Sequence, residues 1–215
     1  MKNIISFSLW GDDGKYLEGA LENIKNQELL FPKWKCRFYL HDKLPKYFLD
    51  TLLSKDVEII KRSENPFNKH MDAPGMFWRF EVLKDPEIER FIVRDTDSRL
   101  TQREVNCVKD WEQSGKEFHI IRDHTMHGTK IMGGMWGATK EFINKIDYDD
   151  LIKQFQNLSY TNTYATDQEF LARMIYPLVK NTACIHDDWD RYGEGARKIP
   201  HLRDGNHFIG EPIEL

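Results

Sequence analysis

Short apolar runs alternate along this chain with stretches of helical period. Ile4 to Trp10 predicts a first strand, closed by the turn Gly11-Asp12-Asp13-Gly14. Tyr16, Ala20, Leu21 and Ile24 then follow helical spacing. Lys35–Leu40 predicts a second strand, Leu44–Leu53 a helix and Val57–Ile60 a third strand. A long polar loop, Ser63 to Pro74, precedes an apolar stretch from Gly75 to Leu83 that predicts a buried helix, ended before Pro86. Phe91–Val93 predicts a buried strand, Gln102–Gln113 a helix on Val105, Val108 and Trp111, and Phe118–Ile121 a further strand. Ile131–Ala138 follows, with three glycines that are poor material for a strand interior. Helices are predicted over Thr139–Ile146 and Tyr148–Leu158, and a polar loop over Ser159–Ala165. A helix with apolar face Phe170, Leu171, Met174 and Ile175 opens at Thr166, with Glu169 placed to complete a capping box. Ala183–His186 predicts a last short strand, and the rest reads as a tail lying across the domain.

Strands alternating with helices predict an α/β fold: a single Rossmann-like domain with a mixed, mostly parallel sheet flanked by helices. Its 215 residues suit one domain over 1–215. Residues 1–100 are expected to form the nucleotide-binding half, 101–186 a second, substrate-binding half, and 187–215 a tail over the active site. The first βα turn lacks both the Gly-x-Gly-x-x-Gly fingerprint and the Walker loop, which disfavours NAD and ATP of those two kinds. A net charge of -4 without a long basic run disfavours nucleic acid as a partner. Cys36, Cys107 and Cys184 are widely spaced and form no Cys-x-x-Cys, which argues for a reducing compartment and a cytoplasmic location. No stretch is apolar enough to span a bilayer, and the N-terminus lacks a signal-peptide pattern.

The candidate chemistry centres on Arg94-Asp95-Thr96-Asp97, directly after the buried run Phe91–Val93. In an open α/β sheet, ligands bind beyond the carboxyl ends of the strands, so Asp95 and Asp97 fall at the mouth of a crevice. Two hard carboxylates there suit Mn²⁺ or Mg²⁺ carrying a diphosphate, whereas a solvated turn is the bland reading. Arg79, within an apolar run, is either a snorkelling surface residue or a cation held for an anionic ligand. Gly133 and Gly134 mark a close approach of backbone to ligand, and Trp136 is either a sugar platform or a core residue. Asp167 has a plain role available at a helix N-terminus. His124-x-x-His127 beside Asp123 invites a zinc reading, but no third ligand stands at fitting spacing. His124 is better read as a base or donor for an acceptor hydroxyl.

Four motifs in order, Phe77-Trp78-Arg79-Phe80, Arg94 to Arg99, Arg122-Asp123-His124 and Gly133-Gly134-Met135-Trp136-Gly137, resemble the GT-A class of nucleotide-sugar glycosyltransferases. The likeness is to its small members from bacteria and large DNA viruses of algae. Thr166-Asp167-Gln168 and His207-Phe208-Ile209-Gly210 are similar to motifs of the retaining branch typified by glycogenin, although Glu211-Pro212-Ile213 stands where Lys-Pro-Trp is expected. The resemblance implies a GT-A domain that moves a sugar from a nucleotide-sugar donor, UDP foremost, to a glycan or glycoconjugate acceptor. It implies Asp95, Asp97 and His207 as ligands of Mn²⁺ or Mg²⁺. It implies donor contacts at Ser8, Leu9, Trp10, Arg62 or Lys61, Arg79, Asp95, Gly133 and Gly134. Asp167 and Gln168 would face the anomeric carbon or the sugar hydroxyls, with His124 as a further catalytic candidate. An inverting reaction would need Asp167 or Asp123 as base; a retaining one could use Gln168 or the leaving phosphate oxygen, and the resemblance leans to retention.

A sugar nucleotidyltransferase is the nearest rival, but it normally carries a basic Gly-rich loop after the first strand, and this chain has no basic residue there before Lys15. A non-catalytic nucleotide- or carbohydrate-binding module would be expected to have lost one of the two carboxylates. A glycoside hydrolase needs its paired acids ~5–10 Å apart across a bond.

Overall fold

The computed structural model describes all residues except 12, 42, 64–74, 159–164, 204 and 214–215. The polar loops expected over 63–74 and 159–165 therefore lie, apart from Ser63 and Ala165, outside the described residues. Strand β1 (Lys2–Leu9) is buried from Ile4 to Leu9 on both faces, as a central strand must be. It pairs in parallel with β2 (Lys35–His41) on one side and β4 (Ile88–Val93) on the other. β3 (Glu58–Arg62) forms one edge, next to β2. Beyond β4 come β6 (Trp136–Thr139), β5 (Phe118–Arg122) and β7 (Cys184–Asp187), giving seven strands in the order β3-β2-β1-β4-β6-β5-β7. Only β6 runs antiparallel to its neighbours. The expected mixed, mostly parallel sheet flanked by helices is what the chain forms.

Side-chain alternation along β1 separates two cores. Ile5, Phe7 and Leu9 pack with Leu17, Ala20 and Ile24 of α1 (Gly14–Leu30) and with Val105, Val108 and Trp111 of α3 (Gln102–Ser114). On the other face Ile4, Phe91 and Trp136 pack under a 3₁₀ helix (Trp78–Lys84), α4 (Lys140–Ile143), α5 (Tyr148–Gln156) and α6 (Thr166–Phe170). A further helix, α2 (Lys46–Leu53), buries Phe48 and Leu52.

Three local expectations are corrected. The stretch from Gly75 makes a 3₁₀ helix, because Arg79 is fixed by backbone bonds to β1 as described below. Ile131–Ala138 does yield a strand in its second half; a side chain at Gly137 would overlap the Phe91 carbonyl, so glycine is what admits β6 beside β4. Thr166 does not cap its helix: Ala165, with φ 72°, occupies that position without a side-chain bond, and the Asp167 Oδ1 accepts its neighbour Gln168 N–H at 2.9 Å. The helix then widens into a π turn (Leu171–Ile175) before α7 (Tyr176–Val179). Pro177 accounts for this, since its ring cannot donate to or pack against the preceding turn of an α-helix. Trp136 is fully buried against Phe80, Phe91 and Phe118, so it is a core residue and not a sugar platform. All three cysteines are free and buried, and no described helix is long and apolar enough to cross a membrane.

Candidate active site

The sheet reverses its direction of growth between β1 and β4, and in such sheets the ligand crevice opens outside the strand ends at that point. A cavity of about 100 Å³ lies there, lined by Ser8, Leu9, Trp10 and Tyr16 from the β1 side and Arg79, Asp95, Thr96 and Asp97 from the β4 side. The Asp-x-Asp loop is fastened from beneath. Asn23 of α1 donates to the Ser98 carbonyl at 2.8 Å and accepts from Leu100 N–H at 3.0 Å, and Ser98 Oγ donates to the Asp95 carbonyl at 2.9 Å. Arg94, buried, pairs with Glu104 of α3 and donates to the Val93 carbonyl, so it anchors the end of β4.

Arg79 is the hub. Its backbone carbonyl accepts from Ser6 Oγ at 2.7 Å and its N–H donates to Ser8 Oγ at 2.8 Å, which locks the 3₁₀ helix onto β1. Its guanidinium pairs with Asp95 and, at 3.0 Å, with Asp167 of α6. Arg79 is therefore no snorkelling surface residue but a buried cation whose partners in this structure are two carboxylates. Burial alone would lower the guanidinium; the Asp95 and Asp167 carboxylates outweigh it and hold it above its ordinary value. The Asp167 carboxyl is raised by burial against the opposing pull of Arg79. Asp97 is raised too, by burial and then by the charge of Asp95. Asp95, Asp97 and Asp167 stand around the Arg79 guanidinium, with Lys15 also acting on Asp97, so carboxylates outnumber cations at the crevice. The oxygens of Asp95 and Asp97 are the hard donors a divalent cation prefers, although with Asp167 they do not gather as one group of three ligands among the described residues. The Gly133-Gly134 backbone closes the opposite wall: a Cβ at Gly133 would overlap the Asp167 carboxylate, and one at Gly134 the Asp95 carboxylate.

No family model matches the chain, and no curated protein matches it by sequence. Solved structures do resemble it. A glycosyltransferase involved in glycosylation of the major capsid of PBCV-1 superposes over 88% of this chain and 82% of its own, with a TM-score of 0.53 at 13% identity. The fold is GT-A. The glycosyltransferase GlyE of Streptococcus pneumoniae TIGR4 covers 87% of this chain with a TM-score of 0.54 at 15% identity, and this chain spans 45% of it. S. aureus TarS 1-349 covers 87% with a TM-score of 0.54 at 12% identity, and this chain spans 58% of it. At these identities the likeness is one of GT-A architecture.

Within that GT-A frame the other candidate residues divide. Ser8, Leu9 and Trp10 line the crevice. Gln168 accepts from Thr129 Oγ at 3.0 Å, which ties the start of α6 to the loop before Gly133. Arg62 lies at the end of edge strand β3, where its Nε donates to Glu81 at 2.8 Å and its guanidinium lies over Tyr39, so its charge is already matched. His207 is exposed and its Nδ1 lies 2.8 Å from Glu211 Oε2. Among the described residues its ligand atoms do not gather with those of Asp95 and Asp97. His124 stacks on Phe208 at 4.1 Å and its Nδ1 accepts Met126 N–H at 3.2 Å. His127 Nδ1 accepts Asp123 N–H at 3.0 Å, and burial, then His124, lowers its imidazole to about 4. With both Nδ1 atoms so engaged and no group of three metal ligands around them among the described residues, the His-x-x-His pair does not form a zinc site.

Asp123 is no base. It is fully buried, takes two 2.8 Å bonds from Arg103, and also accepts from Arg203 and from Ile209 N–H at 2.9 Å. Burial would raise it, but these donors hold it below the ordinary carboxylate range. It thereby fastens the C-terminal tail, whose Ile213 N–H then reaches the Asp97 carbonyl at 2.8 Å. Tyr16 and Thr96 were not anticipated as lining residues, although Tyr16 falls in the first turn of the helix after β1, the same signal that singled out Ser8 to Trp10.

Proposed function

We propose that the protein is a divalent-metal-dependent glycosyltransferase that moves a hexosyl or deoxyhexosyl group from a nucleoside diphosphate sugar, UDP foremost, to a hydroxyl of a glycan or glycoconjugate. The observation that carries this reading is the carboxylate-rich crevice at the sheet reversal of a GT-A fold, with Asp95 and Asp97 at the end of β4 and Arg79 between Asp95 and Asp167. Asp95 and Asp97 are the residues that would hold Mn²⁺ or Mg²⁺, with His207 joining them only if the tail shifts. When bound, the ion supplies charge that stabilises the departing nucleoside diphosphate.

The half-buried rings of Trp10 and Tyr16, with Ser8 and Leu9, offer an aromatic and polar wall for base and ribose. The Gly133-Gly134 backbone, with no side chain, lets the Asp167 and Asp95 carboxylates lie directly against it, and the donor sugar would rest beside them. Arg79 releases part of its hold on Asp95 to face the diphosphate, a preformed cation at the place where negative charge grows. In a retaining transfer the bond from the anomeric carbon to the phosphate oxygen breaks and a bond to the acceptor oxygen forms on the same face. The acceptor proton passes to the departing phosphate oxygen. Asp167 and Gln168, at the first turn of α6, steady the positive charge that develops on the sugar ring. His124, on the loop next to the tail, meets the acceptor side. Three free buried cysteines suit a reducing, cytoplasmic setting.

The test is a panel of UDP-, GDP- and TDP-sugars with Mn²⁺, with Mg²⁺ and with chelator. Metal-dependent release of nucleoside diphosphate, slow without acceptor, supports the reading. Release of pyrophosphate from a nucleotide triphosphate and a sugar phosphate would replace it with a nucleotidyltransferase. No turnover and no metal-dependent nucleotide binding would sink it.

A further inference from the structure

A second cluster of metal-ligating side chains lies beneath the opposite half of the sheet, between β5, β7 and α3. His119 and Cys184 are direct partners in the parallel β5–β7 ladder, and His186 follows Cys184 by two residues. All three therefore project from one face, toward α3, while Ile120 and Ile185 between them project to the other. His119 and His186 are fully buried and Cys184 is nearly so. Their ligand atoms lie within 4.8 Å of one another, and no other such group of three exists among the described residues.

We propose that Cys184, His119 and His186 bind one thiophilic d¹⁰ metal ion, Zn²⁺ foremost, as a structural staple between β5 and β7. The donor set, one thiolate and two imidazoles, is the borderline-soft set that selects Zn²⁺ or Cu⁺ over Mn²⁺ and Mg²⁺. Zn–S of about 2.3 Å and Zn–N of about 2.0–2.1 Å imply ligand separations of about 3.5 Å, so the side chains need close in by little more than about 1 Å. The surroundings orient them. His186 Nε2 lies 3.0 Å from Asp110 Oδ2, and a carboxylate there takes the Nε2–H and leaves Nδ1 as a lone pair. That Nδ1 lies 2.9 Å from His119 Nε2. The ring of His119 is held by Trp111, stacked at 5.0 Å.

The same bonding leaves a debt without an ion. With His186 Nδ1 a lone pair, His119 must give it the Nε2–H, and His119 Nδ1 is then a buried lone pair with no partner. A sheet face covered by a helix ordinarily carries apolar side chains, and here it carries a thiol and two imidazoles, one of them incompletely satisfied. Metal binding releases the Cys184 thiol proton to water and uses one lone pair of each imidazole, so the ion meets one anionic and two neutral ligands. The three side chains fill three of the four positions zinc takes and leave the fourth to a water, and burial of all three excludes substrate, which makes the role structural. The staple also reaches the tail, because Asp110 pairs with Arg197 at 2.7 Å and Arg197 N–H donates to the Ile185 carbonyl.

The full chain is expressed in medium supplemented with Co²⁺, so that the ion is taken up during folding, and in unsupplemented medium for elemental analysis after gel filtration. The expected result is about one Zn or Cu per chain, and a thiolate-to-cobalt charge-transfer band in the Co²⁺ form. Cys184→Ser should lose the band and at least about nine-tenths of the metal while keeping the far-ultraviolet circular dichroism of the parent. His119→Gln, a second variant should Cys184→Ser not fold, should shift the band and weaken retention. Asp97→Asn should leave both unchanged, which separates this ion from one at the candidate active site. A wild-type chain without retained metal or a band, or a band that survives Cys184→Ser, overturns the proposal.

Discussion

Replacing Arg79 with Met removes the guanidinium and keeps most of the side chain's apolar bulk. The backbone bonds to Ser6 and Ser8 do not depend on the side chain, so the 3₁₀ helix should stay docked. What changes is the electrostatics of two carboxylates of unequal exposure. The Asp95 side chain is 43% exposed and can rehydrate, so its share is discounted. The Asp167 side chain is 5% exposed and sits 3.0 Å from the lost cation, so its charge is stranded. Breaking a buried pair by deleting one partner costs about 3–5 kcal/mol, which at about 2–4 °C per kcal/mol is a large fall in melting temperature for a chain this size. The cost should depend on pH in a definite sense. Burial already raises the folded-state Asp167 carboxyl, and loss of Arg79 raises it further, so the folded variant binds the proton more tightly than the unfolded chain does. The penalty is therefore full above the raised folded value, shrinks as pH falls through it, and vanishes below the unfolded value of about 3.9. Urea unfolding of the wild type, Arg79→Met, Asp167→Asn and the double variant at neutral and mildly acidic pH reads this out. The double variant should regain most of the loss. A penalty under about 1 kcal/mol at neutral pH, or one that does not change with pH, would refute the stranded-charge reasoning.

Three further outcomes are expected. Gly134→Ala pushes a Cβ into the Asp95 carboxylate and should cost about 1–3 kcal/mol of stability and impair metal-dependent nucleotide binding, as calorimetry and titration would show. Asp123→Asn replaces an acceptor held by Arg103, Arg203 and Ile209 N–H, and hydrogen exchange should quicken over residues 209–213; unchanged protection would mean the tail is held elsewhere. Because the folded Asp123 carboxyl is depressed, the stability it adds is present above the unfolded value of about 3.9 and is lost as pH falls through its folded value. His127, lowered to about 4, binds its proton more weakly folded than unfolded, so it makes stability fall as pH drops from about 6.5 toward 4. Its ring resonances should stay those of a neutral imidazole down to pH ~5.

The parts of the molecule legible in the chain were those set by local pattern. β1, β2 and β4 each carry a short β-branched and aromatic run, and a strand followed by two carboxylates puts Asp95 and Asp97 at a strand end without further knowledge. Arg79 stood out as a charge in an apolar run, but that it bridges Asp95 and Asp167 depends on a chain separation of 88 residues that periodicity does not encode. The capping box of Thr166 and Glu169 reads as complete, and it fails because Ala165, with φ 72°, takes the N-cap position and leaves Thr166 already inside the helix. Arg122-Asp123-His124 read as ligand chemistry; Arg122 is instead locked to Asp187 and Glu194, and Asp123 to two arginines. The His119, Cys184 and His186 cluster was invisible because the β5–β7 register brings together residues with no shared motif.

The central claim is that Asp95 and Asp97 form a divalent-cation clamp for a nucleoside diphosphate. Isothermal titration of UDP, with GDP and TDP alongside, into wild-type protein and Asp97→Ala, each with Mn²⁺ and with chelator, tests it most directly. The account predicts saturable binding to the wild type with Mn²⁺, loss of that binding with chelator, and loss in the variant while its melting curve stays that of a folded protein. Binding to Asp97→Ala that keeps the wild-type affinity and the wild-type dependence on Mn²⁺ would contradict it.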